Sequence, residues 1–304
     1  MSTSPLSTYL VSPSSLHSAL KSNPTSLIPI SAAWFLPNAA TTGRASFLKS
    51  HIPSSRFFDL DAVSDTSSPY PHMLPSASSF ASHIGAIGIS NTDNLIIYDA
   101  PESGLFSAPR VAWTFRVFGH KGGVHVLNNY KEWVDEGLPT TSGEQEVFGK
   151  KEYEAQEPDA GMVAAFEKVR DVARKNFWEG EDAAEALVVD ARSRGRWEGS
   201  EPEPRKGLSS GHVPGSVSLP FTEVLDEKKR LKGSEELRRL FEERGVRGDR
   251  EVVFSCGTGV TASVLEAALK EAGLAEGRRR VYDGSWTEYA QRAANTEGLI
   301  EKSA

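Results

Sequence analysis

Three apolar runs punctuate the chain: "NLIIYD" (94–99), "EALVVDAR" (185–192) and "REVVFSC" (250–256). Each is short, rich in β-branched residues and bounded by polar ones, the pattern of a strand buried on both faces. By contrast, "MVAAFEKVRDVARKNF" (162–177) and "ASVLEAALKEAG" (262–273) set their apolar residues at helical spacing. Strands alternating with helices predict an α/β fold, each domain a mainly parallel sheet flanked by helices. In such sheets ligands bind at the carboxyl ends of the strands, which is where Cys256 falls.

The pattern also repeats. His-aliphatic-Pro-x-Ser occurs in "HIPSSRFFDL" (51–60) and again in "HVPGSVSLPF" (212–221). Each copy is followed by an apolar strand, ending at Asp99 in the first case and Cys256 in the second. Beyond these, "VHVLNNYKEW" (124–133) matches "RVYDGSWTEY" (280–289): short strand, turn, aromatic-bearing segment. Three landmarks in one order, about 150 residues apart, predict duplicated domains rather than a solenoid. Between the copies, "DEGLPTTSGEQEVFGKKEYEAQEPDAG" (135–161) is polar and weakly periodic. The expected division is therefore a first domain over 8–135, a linker over 136–160 and a second domain over 161–304.

Composition narrows the class. Of 304 residues 38% are hydrophobic and 25% charged, enough for packed cores. The net charge of −7 offers no nucleic-acid footprint, and "RRR" (278–280) reads as a solvated loop. No apolar run approaches the ~20 residues of a membrane span. The single cysteine cannot form an internal disulfide, so a reducing compartment is expected. Residues 1–58 are Ser-rich and lack Asp and Glu, as in transit peptides, yet residues 1–20 also lack Arg and Lys. The expected location is the cytoplasm, with a mitochondrial pool as the second option.

Cys256 stands between a strand and the turn "GTGVT", with a helix behind it. Gly257 and Gly259 leave the backbone unshielded, so successive N–H groups and the helix N-terminus can stabilise an anionic sulfur. An inert buried thiol is the alternative, but such a thiol has no need of a Gly-x-Gly turn. A phosphatase would carry an Arg six residues after the nucleophile; here that position is Ala262. A nucleophile that accepts a sulfur atom suits the loop.

Here a resemblance enters. "CGTGVTA" (256–262) resembles the active-site loop of 3-mercaptopyruvate sulfurtransferases, members of the rhodanese superfamily. "DARSRGRWEGSEPEPRKGLSSGHVPGS" (190–216) resembles their substrate segment, and "YDGSW" (282–286) their C-terminal landmark. "FFDLDAVSDTSSPYPHMLP" (57–75) and "GLFSAPRVAWTFRVFGH" (104–120) are similar to the family's first half. The likeness runs from about Tyr9 onward, so no long leader is expected. It implies two tandem rhodanese-like domains, the first non-catalytic, with Asp99 near the place of the cysteine. Ser31 departs from the family's usual Asp, and "LNNYKEW" (127–133) looks one residue short in a turn.

The resemblance assigns roles that the residues make chemically reasonable. Arg196 and Arg205 would bind the donor's carboxylate from an irregular loop, since Arg suits planar carboxylates. Alternatively they pair with Glu198, Glu201 or Glu203 on the surface. Arg192 is expected to pair with Asp190. Thr258, His72 and Asp61 would form a hydroxyl–imidazole–carboxylate relay, although His72 could equally be a buried structural histidine. Gly257, Gly259, Val260 and Thr261 complete the active-site loop. His51 and His212 fit capping roles in their turns. No spacing suggests a metal or a nucleotide, so no cofactor is expected.

The expected activity is sulfur transfer from 3-mercaptopyruvate through a Cys256 persulfide, releasing pyruvate. With no second cysteine, the acceptor must be external: thioredoxin, glutathione, a sulfur-carrier protein, or cyanide in an assay. Rhodaneses that favour thiosulfate resemble "CRKGVT" in this loop, whereas Gly257 and Thr258 bring no charge. Thiosulfate as donor, a relay delivering persulfide to a partner protein (as in tRNA thiolation) and a non-catalytic binding module remain as rivals. No direct contact with nucleic acid or membrane is expected.

Overall fold

The computed structural model describes residues 4–180, 184–294 and 299–303. They form two compact units. The first holds the chain up to Thr66, Leu74–Asp159 and Glu227–Leu231; the second holds Ser67–Met73, Ala160–Asp226 and the chain from Lys232.

In the first unit the order is β1 (Leu10–Val11), α1 (Pro13–Ser22), β2 (Ile28–Ser31), α2 (Gly43–Lys49) and β3 (Arg56–Phe57). There follow α3 (Ala77–Ala86), β4 (Leu95–Tyr98), α4 (Ala108–Val117), β5 (Val124–Leu127) and α5 (Tyr130–Asp135). The sheet runs β1-β5-β4-β2-β3, every pair parallel. The second unit contains β6 (Val163–Ala164), α6 (Phe166–Glu179), β7 (Ala186–Asp190), α7 (Arg194–Glu198) and β8 (Val217–Ser218). It continues with α8 (Ser234–Glu243), β9 (Glu251–Ser255), α9 (Ala262–Glu271), β10 (Arg279–Tyr282) and α10 (Ser285–Ala294). Its sheet, β6-β10-β9-β7-β8, is also all parallel and has the same order position for position. The α/β class and the duplication are as the sequence predicts.

The repeat holds at the level of single bonds. Tyr98 lies opposite Ser31 on β2, and Ser255 opposite Asp190 on β7. Ala32 N–H donates to the Tyr98 carbonyl and Ala191 N–H to that of Ser255, both at 2.8 Å. Asp99 is therefore the counterpart of Cys256, and Ser31 that of Asp190. His51 Nδ1 bonds the Phe47 carbonyl and stacks on that ring, as His212 does with Trp197, so each closes the last turn of α2 or α7. Asn129 takes the questioned turn with φ of 87° and caps α5 through its side chain.

Three expectations need correction. The helix expected over 162–177 starts at Phe166, because Val163 and Ala164 pair with β10. Arg196 sits not in an irregular loop but on the short helix α7, which leads out of β7. Residues 136–159 group with the first unit: Lys151 N–H bonds Gly85, Gln156 N–H bonds Phe118, and Tyr153 packs on Phe80. Polar composition marked this stretch as a linker, but its backbone hydrogen bonds and one aromatic anchor hold it against α3 and α4.

β4 and β9 are the middle strands of their sheets, and α4 and α9 follow them. Both helices are almost wholly buried, built from Ala, Val, Leu and aromatic residues with few charges. No helix of the described residues is long and apolar enough to cross a membrane.

Candidate active site

Cys256 follows the last residue of β9, and its side chain is buried, with 2% exposed. The chain turns through Gly257, Thr258, Gly259, Val260 and Thr261 into α9, with φ of 78° at Gly259 that a side chain would strain. The first backbone donor beyond the turn is Ser263 N–H, to Val260. The N–H groups of residues 257–262 donate to nothing among the described residues. A run of unpartnered N–H groups at the positive end of a ten-residue helix is an anion-binding arrangement, and it begins at the only thiol in the chain.

The loop is anchored from behind by the "DGSW" segment. Cys256 N–H donates to Ser285 Oγ at 3.1 Å, and Ser285 Oγ–H donates to the Tyr282 carbonyl at 2.8 Å. Trp286 N–H donates to the Cys256 carbonyl, while Thr287 N–H and Oγ–H both donate to the Gly257 carbonyl. Ser285 is completely buried and held at φ of 48°. Sequence reasoning saw only a landmark here; the roles of Ser285 and Thr287 depend on pairing across the sheet, which no local spacing reveals.

Thr258, also buried, places its hydroxyl 2.9 Å from His72 Nδ1. His72 belongs to the second unit although it comes from the first half of the chain. It is buried with φ of 64°, in the left-handed region that few residues other than glycine adopt and that recurs at functional sites. Asp61 lies in the first unit, exposed, where both carboxylate oxygens accept the Trp34 indole N–H at 3.1 Å.

The arginines divide. Arg192 is deeply buried: it grips Asp190 through Nε and Nη2, bonds Glu203 through Nη1, and lies over the Trp286 ring. Glu203, with 3% of its side chain exposed, also holds Arg196 through Nε at 3.1 Å and Nη2 at 2.6 Å. The expected Arg192–Asp190 pair is thus present, and of the acids that could have occupied Arg196 it is Glu203 that does. Arg196 nonetheless reaches the loop, because a Cβ on Gly257 would stand 3.5 Å from its Nη2. Arg205 makes no hydrogen bond or ion pair among the described residues. Burial lowers its pKa, as does its neighbour Arg196; Cys256 and Glu203 act in the other direction. Cys256, Thr258, His72, Arg196 and Arg205 therefore gather in one unit.

The counterpart loop in the first unit is built for a different end. Asp99 is buried and accepts hydrogen bonds from the N–H groups of Phe106, Ser107 and Ala108 and from Ser107 Oγ. Its carboxylate fills the donors at the start of α4, donors whose equivalents around Cys256 are open. Burial pushes Asp99 up to about 6 against the downward pull of these four donors.

Comparison with known proteins agrees with this division. The Rhodanese-like domain family matches residues 171–292, in the second unit. The 3-mercaptopyruvate sulfurtransferase of Mus musculus is 40% identical over 87% of this chain and 85% of its own. The probable 3-mercaptopyruvate sulfurtransferase of Schizosaccharomyces pombe is 41% identical over 92% of both. Tum1 of Saccharomyces cerevisiae, named a thiosulfate sulfurtransferase, is 36% identical over 88% of this chain and 89% of its own. Its crystal structure superposes with a TM-score of 0.86 over 97% of this chain and 98% of that one, at 32% identity. Identity at this level along nearly the whole length goes well beyond a shared fold, and the chain belongs to the 3-mercaptopyruvate sulfurtransferase family of tandem rhodanese-like enzymes.

Proposed function

We propose that the protein transfers sulfur from 3-mercaptopyruvate by a two-step covalent cycle on Cys256. The Cys256 thiolate attacks the donor's sulfur, the carbon–sulfur bond breaks, and its electron pair passes to carbon as the pyruvate enolate. The enolate takes one proton and leaves as pyruvate; Cys256 keeps the outer sulfur as a persulfide. An external thiolate then attacks that sulfur, carries it away and regenerates the Cys256 thiolate. With one cysteine in the chain, no internal thiol can serve as acceptor. Thioredoxin, glutathione or a sulfur-carrier protein fits the chemistry, in the cytoplasm with a mitochondrial pool.

The observation that carries this reading is the open run of N–H groups at residues 257–262, which suits an anionic sulfur before and after attack. Arg205 and the free edge of Arg196 would hold the carboxylate. Thr258, bonded to His72, would supply the proton to the enolate.

Thiosulfate is the alternative donor, favoured by the likeness to a thiosulfate sulfurtransferase. Two charges ~4 Å apart interact by about 4 kcal/mol at an effective dielectric of 20, and the loop positions Gly257 and Thr258 offer a dianion no such partner. Steady-state kinetics with cyanide as acceptor should give a kcat/KM for mercaptopyruvate at least ~100-fold above that for thiosulfate. Equal or better use of thiosulfate would overturn the assignment of the donor.

A further inference from the structure

The buried ion pairs beside the cysteine have a charge count that bears on the choice of donor. Arg192 and Arg196 contribute two positive charges, Asp190 and Glu203 two negative ones, and every link between them is a short contact. The four cancel. Arg192 is satisfied twice over, by Asp190 on one side and Glu203 on the other. Among the described residues Glu203 is the only acid that Arg196 hydrogen-bonds, and it takes up Nε and Nη2. What remains for a ligand is Arg205, which makes no hydrogen bond or ion pair among the described residues and stands near enough to Arg196, Cys256 and Glu203 for each to act on its charge.

We propose that Glu203 is a specificity-determining residue of the sulfurtransferase: by neutralising Arg196 it leaves the site a single net cation and so selects a donor with one negative charge, a 2-oxo acid thiol, over a dianion such as thiosulfate. The inference rests on the mercaptopyruvate reading above. A monoanionic carboxylate satisfies Arg205 and leaves nothing unbalanced. A dianion brings a second negative charge into a half-buried site where, among the described residues, Arg192 and Arg196 are already paired, and it meets the thiolate as well. Glu203 need not touch the donor; it acts through the guanidinium that it holds.

The test is the donor ratio in full-length Glu203→Gln and Glu203→Asp. Glutamine keeps the shape and removes the charge, freeing Arg196 while Arg192 keeps Asp190. With cyanide as acceptor, Glu203→Gln should raise the kcat/KM of thiosulfate relative to mercaptopyruvate by about tenfold or more, whereas Glu203→Asp should keep the wild-type ratio. Because both donors are measured on one preparation, the ratio is insensitive to partial unfolding, which a merely structural role would produce. A ratio unchanged in Glu203→Gln, or moved equally in Glu203→Asp, would overturn the proposal. If Glu203→Gln does not fold, the wild-type enzyme still decides: pyruvate should compete with mercaptopyruvate better than the dianionic ketomalonate, and the reverse order would overturn it. Failure of the underlying reading has a different sign, since neither donor would then leave sulfur on Cys256. A persulfide that forms with an unmoved ratio removes only the role of Glu203.

Discussion

Asp99→Ala and Cys256→Ala alter equivalent positions of the two repeats, and their effects should be opposite in kind. Asp99 accepts from three backbone N–H groups at 2.8–2.9 Å and from one hydroxyl at 2.6 Å, all at the buried start of α4. Alanine strands these donors. Each buried donor left unpaired costs about 1–3 kcal/mol, and loss of an N-terminal helix cap typically about 1. Since the donors share one acceptor, the costs do not add fully, and about 3–5 kcal/mol is expected. For a unit of this size that is a fall in Tm of about 6–20 °C. Cys256→Ala removes one sulfur atom and no hydrogen bond, since the N–H groups of 257–262 have no acceptor to lose, so about 1 kcal/mol is expected. Thermal unfolding at pH 7.5, where Asp99 is ionised, together with turnover per folded molecule, separates the two. Asp99→Ala should unfold early yet transfer sulfur; Cys256→Ala should be stable and inactive. Equal stability of the two variants would refute the assignment of Asp99 as the carboxylate that fills its own loop.

The arginines should differ as well. Arg205→Ala, which loses an unpaired cation, should raise KM for mercaptopyruvate by the equivalent of about 1.5–3 kcal/mol, while Arg196→Ala, already shared with Glu203, should cost less in KM and more in stability. Equal KM effects would contradict that division. Stability should fall as pH drops below about 6.5: burial holds His120 and His125 below their ordinary value, so the unfolded chain binds protons that the folded chain refuses. Asp99, pushed up to about 6, works in the reverse sense below that pH, so the diagnostic is a flatter slope in His120→Gln than in wild type between pH 7.5 and 5.5. Identical slopes would remove His120 from the explanation.

Much of this was legible in the chain. Apolar runs at 94–99, 185–192 and 250–256 became β4, β7 and β9, strands paired on both sides, because a parallel strand buried on both faces leaves a continuous hydrophobic signature. Cys256 was exposed as a candidate by its glycines, whose only local purpose is an open backbone. The two-residue strands β1, β3, β6 and β8 were not legible, since their pairing comes from the neighbouring strand and not from their own pattern. Nor was Glu203: an acid in "EPEPR" reads as solvated surface until the fold buries it between Arg192 and Arg196. Ser285 was hidden for the same reason, its partner Cys256 lying 29 residues away.

The most direct measurement is the intact mass of the protein after exposure to 3-mercaptopyruvate without acceptor, with peptide mapping of the adduct. One sulfur, about 32 Da, should appear on Cys256, pyruvate should be released in equal amount, and a thiol should remove the adduct. Cys256→Ser should gain no mass. Pyruvate release without an adduct on Cys256, or turnover by Cys256→Ser, would contradict a persulfide on this residue as the carrier of sulfur.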